Sequence, residues 1–394
     1  MNIEDFPMKE KDIVYFDNAA TTYKPYSVIN KINEYYKDYS ANSHRGDYNI
    51  SFKVDDEVDN TRDLVCKFIN ADKKEEIIFT KNTTDSINMI VFGYFLNNLK
   101  ENDEVILSSS EHASNILPWL VLSTKINIKI VFVDSVYEKL NIEDLKKKIT
   151  TNTKVISLAH ITNVSGDKRN IKEICKLAHG KGILVVVDAA QSVPHIKTDV
   201  KDLDVDFLAF SSHKMCGPTG VGILYGKYEL LEKMLPFEYG GGMNLTYNEN
   251  ELKLLDIPYR FEAGTCDLAS IIGFSESIKY LNLIGMDNIE KYEQQLRNYL
   301  ISKLETIPYI KIYNKDSKGS IVIINIDGIL SGDLGLYLNS KNICVRSGKH
   351  CAKMGDNIED TVRISLYFYN TFDEIDKLID ALNNKDEIEK FAKK

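Results

Sequence analysis

The segment Val185-Val186-Val187-Asp188 is followed, 23 residues after its acid, by Ser211-Ser212-His213-Lys214, and this pair constrains the chain more than any other feature. A β-branched run that ends in an acid reads as a buried parallel strand with a carboxylate at its carboxyl end. The second apolar run, Phe207-Leu-Ala-Phe210, delivers serine, histidine and lysine in the same way. Strands apolar on both faces need helices on both sides, and the rest of the chain supplies them. Residues 104–108, 128–133, 154–158, 183–188, 207–210 and 221–225 read as strands, with helical stretches at 84–98 and 171–181 between them. The alternation runs from about residue 61 to 225 and predicts a doubly wound, mostly parallel sheet. In such sheets ligands bind beyond the carboxyl ends of the strands, so Asp188 and Lys214 are placed to face one site.

After Gly264 the pattern changes. Helices at 269–283 and 288–306 precede strands at 310–313 and 320–326, a helix near 333–339, strands at 343–346 and 361–366, and a last helix from Phe372. This predicts a large α/β domain over 21–264 and a smaller α+β domain over 265–394, joined by residues 1–20. The charged end, 385–394, reads as a solvated helix end. At 394 residues, 43% hydrophobic and 27% charged, the chain has the length and mix for two cores.

Composition also excludes function classes. A net charge of −9 argues against a nucleic-acid partner, and no apolar stretch approaches the length of a membrane span. The amino terminus lacks the basic and apolar regions of a signal peptide, which predicts a cytoplasmic protein. Six cysteines without paired spacing read as free thiols, and the absence of a C-x-x-C pair argues against a metal. Gly217-Pro-Thr-Gly220-Val-Gly222 leads into a strand rather than a helix, so it is not a dinucleotide loop.

Alone, Lys214 reads as a solvated loop lysine and Asp188 as a strand-end cap. Together they suit pyridoxal phosphate (PLP): a lysine for the Schiff base, an acid for the pyridinium nitrogen, hydroxyls for the phosphate. Thr83 and Thr84 open a helix after the short strand 77–80 and make a phosphate cradle with Ser211 and His213. His112 follows strand 104–108, where an imidazole can stack on the ring and move a proton. Gln191 lies three residues beyond Asp188, positioned to donate to the cofactor's phenolic oxygen, a role that Asn163 could share. Arg363, inside the strand 361–366, is costly unless it meets an anion; a substrate α-carboxylate fits its fork, and a structural ion pair is the alternative. Cys351, in Arg346-Ser-Gly-Lys-His350-Cys351-Ala352, reads as an exposed loop thiol whose pKa Arg346, Lys349 and His350 lower.

These residues resemble the cysteine desulfurases of the SufS type, within the class-V aminotransferase family of fold type I PLP enzymes. The resemblance runs from Tyr15-Phe-Asp-Asn-Ala-Ala20 to Tyr367-Phe-Tyr-Asn-Thr371. It includes His44-Arg45-Gly46, Glu111-His112 through Pro118-Trp119, Asp188-Ala-Ala-Gln191, Ser212-His213-Lys214, Arg260-Phe-Glu-Ala-Gly-Thr265 and His350-Cys351-Ala352. It implies that Lys214 holds PLP and moves protons, that Asp188 pairs with the ring nitrogen and that His112 stacks. It also implies that Thr84, Ser211 and His213 bind phosphate, with Thr265 reaching in from the other subunit of a homodimer. Arg363 and Asn163 would hold the carboxylate of L-cysteine, with His44 and Arg346 on the same side. Cys351 would take the sulfur as a persulfide, leaving alanine, and pass it to an acceptor protein for iron–sulfur clusters or another thio-cofactor. A lysine, Lys349, stands where the family commonly has the first of two histidines, and Lys353-Met354 where a proline usually follows. The rival readings are a related selenocysteine lyase or transaminase and a non-catalytic scaffold subunit.

Overall fold

The structure, a computed structural model, describes residues 3–43, 46–136, 139–350 and 360–393. Its larger sheet has seven strands: β1 (Ile77–Thr80), β2 (Glu104–Ser108), β3 (Lys129–Val133), β4 (Thr153–Ala159), β5 (Leu184–Asp188), β6 (Phe207–Ser211) and β7 (Gly222–Gly226). Their spatial order is β1-β7-β6-β5-β4-β2-β3. All neighbours are parallel except β7, which runs antiparallel to β1 and to β6. The mostly parallel α/β sheet expected from the strand pattern is therefore present.

Alternation along each strand feeds two apolar layers. Ile106, Val185 and Val187 point into one, which the helices Tyr26–Asp38, Asn49–Phe68 and Leu268–Ile284 cover. Val105, Leu107 and Val186 point into the other, with Trp119, Phe95 and Ile90. With both faces buried, the strands can expose polar groups only at their ends, and β5 and β6 end in Asp188 and Ser211.

A second sheet has four antiparallel strands, β8 (Ile310–Ile312), β9 (Ile321–Ile326), β10 (Arg346–Gly348) and β11 (Thr361–Ser365), in the order β8-β9-β11-β10. It has its own apolar cluster, including Val322, Ile324, Val362, Ile364 and Leu378. The first residues lie against it: Val14–Tyr15 pairs in parallel with Ile343–Cys344, and Asp17 bridges to Ser365.

Several elements differ from the sequence reading. Residues 343–346 are not one strand but two short ones in different sheets, with the break at Val345. The helix expected over 84–98 is helical throughout but turns into a π-helix over Ile90–Phe95. Gly93 sits within it, and a Cβ there would come within 2.5 Å of the Leu235 carbonyl oxygen, so the wide turn coincides with a close backbone approach. The charged tail is a docked helix, Lys385–Ala392, with Ile388 buried. Features that escaped the period-based reading include the helices Tyr26–Asp38, Asn49–Phe68 and Leu117–Ile126 and an exposed hairpin, Asn244–Tyr247 with Leu252–Leu254. Helix Leu268–Ile284, expected with the smaller unit, packs in the apolar layer of the larger sheet.

Candidate active site

Beyond the carboxyl ends of β4, β5 and β6 lies a cavity of about 350 Å³. Thr83, Thr84, His112, Asn163, Asp188, Gln191, Ser211, His213, Lys214, Arg346 and Arg363 all line it. Eleven of the fourteen site residues expected from sequence thus meet at one place. His44 and Cys351 lie outside the described residues. Thr265 lies elsewhere, on a second pocket with Asn42, Gly241 and Glu262.

Asp188 is 5% exposed, and its Oδ1 accepts the Ala190 N–H at 3.0 Å. Burial raises its pKa, and the charges of Lys214 and Arg169 oppose that rise. A carboxylate so enclosed, with one backbone donor, calls for a cationic group on its cavity side. The protonated ring nitrogen of PLP is such a group, and this observation tests the fit of the cofactor to the residues present.

The phosphate end fits as well. Asn82 caps the helix Thr83–Met89 by accepting the Asp85 N–H at 2.9 Å. Ser211 Oγ accepts the Thr83 N–H at 2.8 Å and bonds Thr83 Oγ1 at 2.6 Å, while Thr84 Oγ1 bonds Ser114 Oγ at 2.7 Å. These hydroxyls satisfy one another at a helix start, and each can rotate to donate to a phosphate oxygen instead.

His112 is held by Ser114, whose N–H donates to Nδ1 at 3.1 Å. That contact makes Nδ1 an acceptor and leaves the ring proton on Nε2. Burial, with Lys214 and Arg363 nearby, pushes its pKa down to about 4, so the ring is neutral at physiological pH and suited to stacking. His213 is lowered to about 4 for the same main reason. Gln191 donates from Nε2 to Ala19 O at 2.7 Å, using one of its two N–H groups.

The opposite wall belongs to the second sheet. In β11, Arg363 pairs directly across from Arg346 of β10, an arrangement of like charges that destabilises a sheet. Asp17 resolves it. Its Oδ1 accepts from Arg363 Nη2 at 3.1 Å and from Arg346 Nε at 3.1 Å, and its Oδ2 accepts from Arg346 Nη2 at 3.0 Å. Arg363 Nη1 also donates to Asn163 O at 2.7 Å, and Asn163 Nδ2 donates to His350 O at 2.7 Å. Arg363 therefore does make a structural ion pair, with Asp17, while Arg363 and Arg346 themselves line the cavity. One expectation is corrected: His350 is not a cation beside the cysteine loop. Burial and the two arginines push its pKa to about 3, and its Nε2 bonds Thr361 Oγ1 at 2.9 Å.

Sequence reasoning missed Asp17, Ser114 and the buried pair Glu111–Arg169. Glu111 Oε2 accepts the Asn115 side chain at 2.8 Å and the Ala159 N–H at 2.7 Å, while its Oε1 pairs with Arg169. This pair fixes the loop that carries His112. The acid beside His112 was a usable signal; Asp17 stands in the Tyr15–Ala20 segment, but its pairing left no local sign because its arginines lie more than 300 residues away.

Known proteins resemble this chain over nearly its whole length. The aminotransferase class-V family model matches residues 14–378. A probable cysteine desulfurase of Staphylococcus aureus (strain Mu50) is 40% identical over 98% of this chain and 96% of its own. One from Halalkalibacterium halodurans is 37% identical over 97% of this chain and 96% of its own. Among solved structures, the cysteine desulfurase CsdA from Escherichia coli superposes with a TM-score of 0.92 at 30% identity, covering 100% of this chain and 99% of that one. The cysteine desulfurase of Thermococcus onnurineus NA1 does so with 0.92 at 36% identity, covering 97% and 96%. With a full-length match in both sequence and fold, the chain belongs to the class-V aminotransferase family, among its cysteine desulfurases.

Proposed function

We propose that this chain uses PLP to convert L-cysteine into L-alanine, with the sulfur left as a persulfide on Cys351. The observation that carries the reading is the meeting of Lys214, Asp188, His112 and Arg363 around one cavity. In balance, a C–S bond of cysteine breaks and an S–S bond to Cys351 forms. The Cys351 thiol proton is conserved overall, carbon is reduced and the two sulfurs are oxidised. When bound, PLP withdraws electrons from the substrate α-carbon, which makes C–S cleavage feasible.

The chain's own residues hold and steer. Asp188 pairs with the ring nitrogen, and the Thr83, Thr84, Ser211 and His213 groups hold the phosphate. His112 covers the ring, Gln191 donates to the phenolic oxygen, and Lys214 carries the cofactor and moves protons at the α-carbon. Arg363, with Asn163, takes the substrate carboxylate, with Arg346 and His44 beside them. Five other cysteines make poor nucleophiles: burial holds Cys66 at about 11, Cys175, Cys216 and Cys266 at about 12, and raises Cys344. That supports Cys351 as the sulfur carrier.

We read the protein as a homodimer in which Thr265 completes the partner's site. The exposed side chains Phe237, Tyr239, Leu245, Tyr247 and Leu252 supply apolar surface for such an interface. The larger sheet and the four-stranded sheet are read as two domains. The chain is read as cytoplasmic, passing sulfur to an acceptor protein for iron–sulfur cluster or thio-cofactor assembly. No helix among the described residues is long and apolar enough to cross a membrane.

The test is release of alanine and sulfide from L-cysteine under reducing conditions, by PLP-loaded wild type and Cys351→Ala. Equal amounts of both products from wild type, lost in the variant, are expected. Activity on selenocysteine alone, or amino transfer without sulfide, would replace the desulfurase reading.

A further inference from the structure

The peptide that joins His213 to Lys214 is gripped by a stretch of chain far away in sequence. Four donors converge on the His213 carbonyl oxygen. They are the Thr22 N–H at 3.0 Å and the Thr21 hydroxyl, the Thr22 hydroxyl and Lys24 Nζ, each at 3.1 Å. Thr22 Oγ1 also accepts the Cys216 N–H at 2.9 Å, so the stretch holds both sides of the turn. That turn is a single three-residue 3-10 helix, Ser212–Lys214, too short to hold itself by its own ladder.

Lys24 is the unusual member. Its ammonium has three N–H groups and meets three neutral oxygens: His213 O, Thr21 Oγ1 at 3.1 Å and Thr22 O. No salt bridge to a carboxylate compensates it among the described residues, and burial lowers its pKa to about 8. Its neighbours His213 and Cys216, at about 4 and about 12, are both uncharged at neutral pH. A cation held at this cost, on the peptide next to Lys214, is not needed to fill space.

We infer that Lys24 is a positioning residue for Lys214: with Thr21 and Thr22 it locks the His213–Lys214 peptide and so aims the Lys214 amine into the cavity. The inference rests on the reading of Lys214 as the lysine that carries PLP. A lysine side chain has four rotatable bonds, and aiming it from a fixed backbone leaves fewer conformations to search. The Lys24 charge also disfavours a second positive charge nearby.

The test uses full-length apoprotein of wild type, Lys24→Met and Thr21→Val, mixed with PLP. Growth of visible absorbance gives the rate of covalent capture, and borohydride reduction followed by peptide mass analysis locates it on Lys214. Lys24→Met is expected to slow capture about 10-fold and Thr21→Val about 3-fold, the sizes that follow from losing a charged and a neutral hydrogen bond. The pH midpoint of the visible band should rise in Lys24→Met, because a repelling charge is gone. Capture rate and midpoint equal to wild type, with only the melting temperature lowered, would overturn the inference. If Lys24→Met does not fold, an unchanged capture rate in Thr21→Val overturns it. Wild type that captures no PLP on Lys214 would instead sink the proposed function, and this inference with it.

Discussion

The two walls of the cavity are built by opposite rules. On the larger sheet, β5 and β6 are apolar along their length, and the polar groups Asp188, Ser211 and Lys214 appear only at or after their ends. On the smaller sheet, Arg363 stands in the middle of β11, between Ile323 of β9 and Arg346 of β10. The first wall spends no strand interior on function, so its strands pack on both faces and its chemistry sits in turns. The second wall places a charge inside a strand and needs Asp17, from the other end of the chain, to make that tolerable. The lesson is that a residue at a strand end can be exchanged with little effect on the core, whereas the arginine wall couples binding to folding.

Four measurements would sharpen or break this contrast. Asp188→Asn keeps shape and removes charge at a strand end; alanine production should fall by about 10²-fold or more, with the melting temperature nearly unchanged. Full activity in that variant would remove Asp188 as the partner of the ring nitrogen. Arg363→Lys should raise KM for L-cysteine by about 10-fold to 100-fold, the loss of a forked charged contact, with a smaller change in kcat. A fall in kcat alone would mean that the two walls share one task. Asp17→Asn should lower KM by a few-fold, because the substrate carboxylate no longer competes with an internal one for Arg363. A rise would show that Asp17 orients the arginine more than it competes.

A separate effect, read in folding rather than in turnover, is on stability against pH. His160 is 5% exposed, and burial lowers it from an ordinary 6.5 to about 4. Between those values the unfolded chain binds a proton that the fold does not, so stability is complete above pH 6.5 and is lost as pH falls toward 4. Each such histidine contributes up to about 1.4 kcal/mol per pH unit, and His350 adds to the same slope. Apoprotein melting followed from pH 7 to 4.5 checks it. His160→Gln should lessen the slope, with His112, His213 and His350 keeping the rest.

Legibility followed the same division. The strands of the larger sheet were readable because β-branched runs with both faces buried leave a local signal, and the residues that end β4, β5 and β6 line the cavity. The split of 343–348 into two strands was not readable, because strands of two and three residues carry no period and Ile343–Cys344 pairs with the distant Val14–Tyr15 while Arg346–Gly348 pairs with β11. The helix Tyr26–Asp38 leaves a weak local signal, because only Val28 and Tyr35 along it are buried and its packing partner, Leu268–Ile284, is far away in the chain. The charged tail misled because its one buried anchor, Ile388, is outnumbered by exposed charge.

By itself the sequence determined the α/β class, the places of the larger sheet's strands along the chain and the residue types that a PLP site needs, since these rest on local periodicity and on side-chain chemistry. Only the tertiary structure decided that Asp17 sits between two arginines, that His350 is neutral and that Lys24 reaches the peptide before Lys214. Each of those depends on distances between residues 11 to 346 positions apart and on how much water burial removes, and neither quantity is written in any local stretch of the chain.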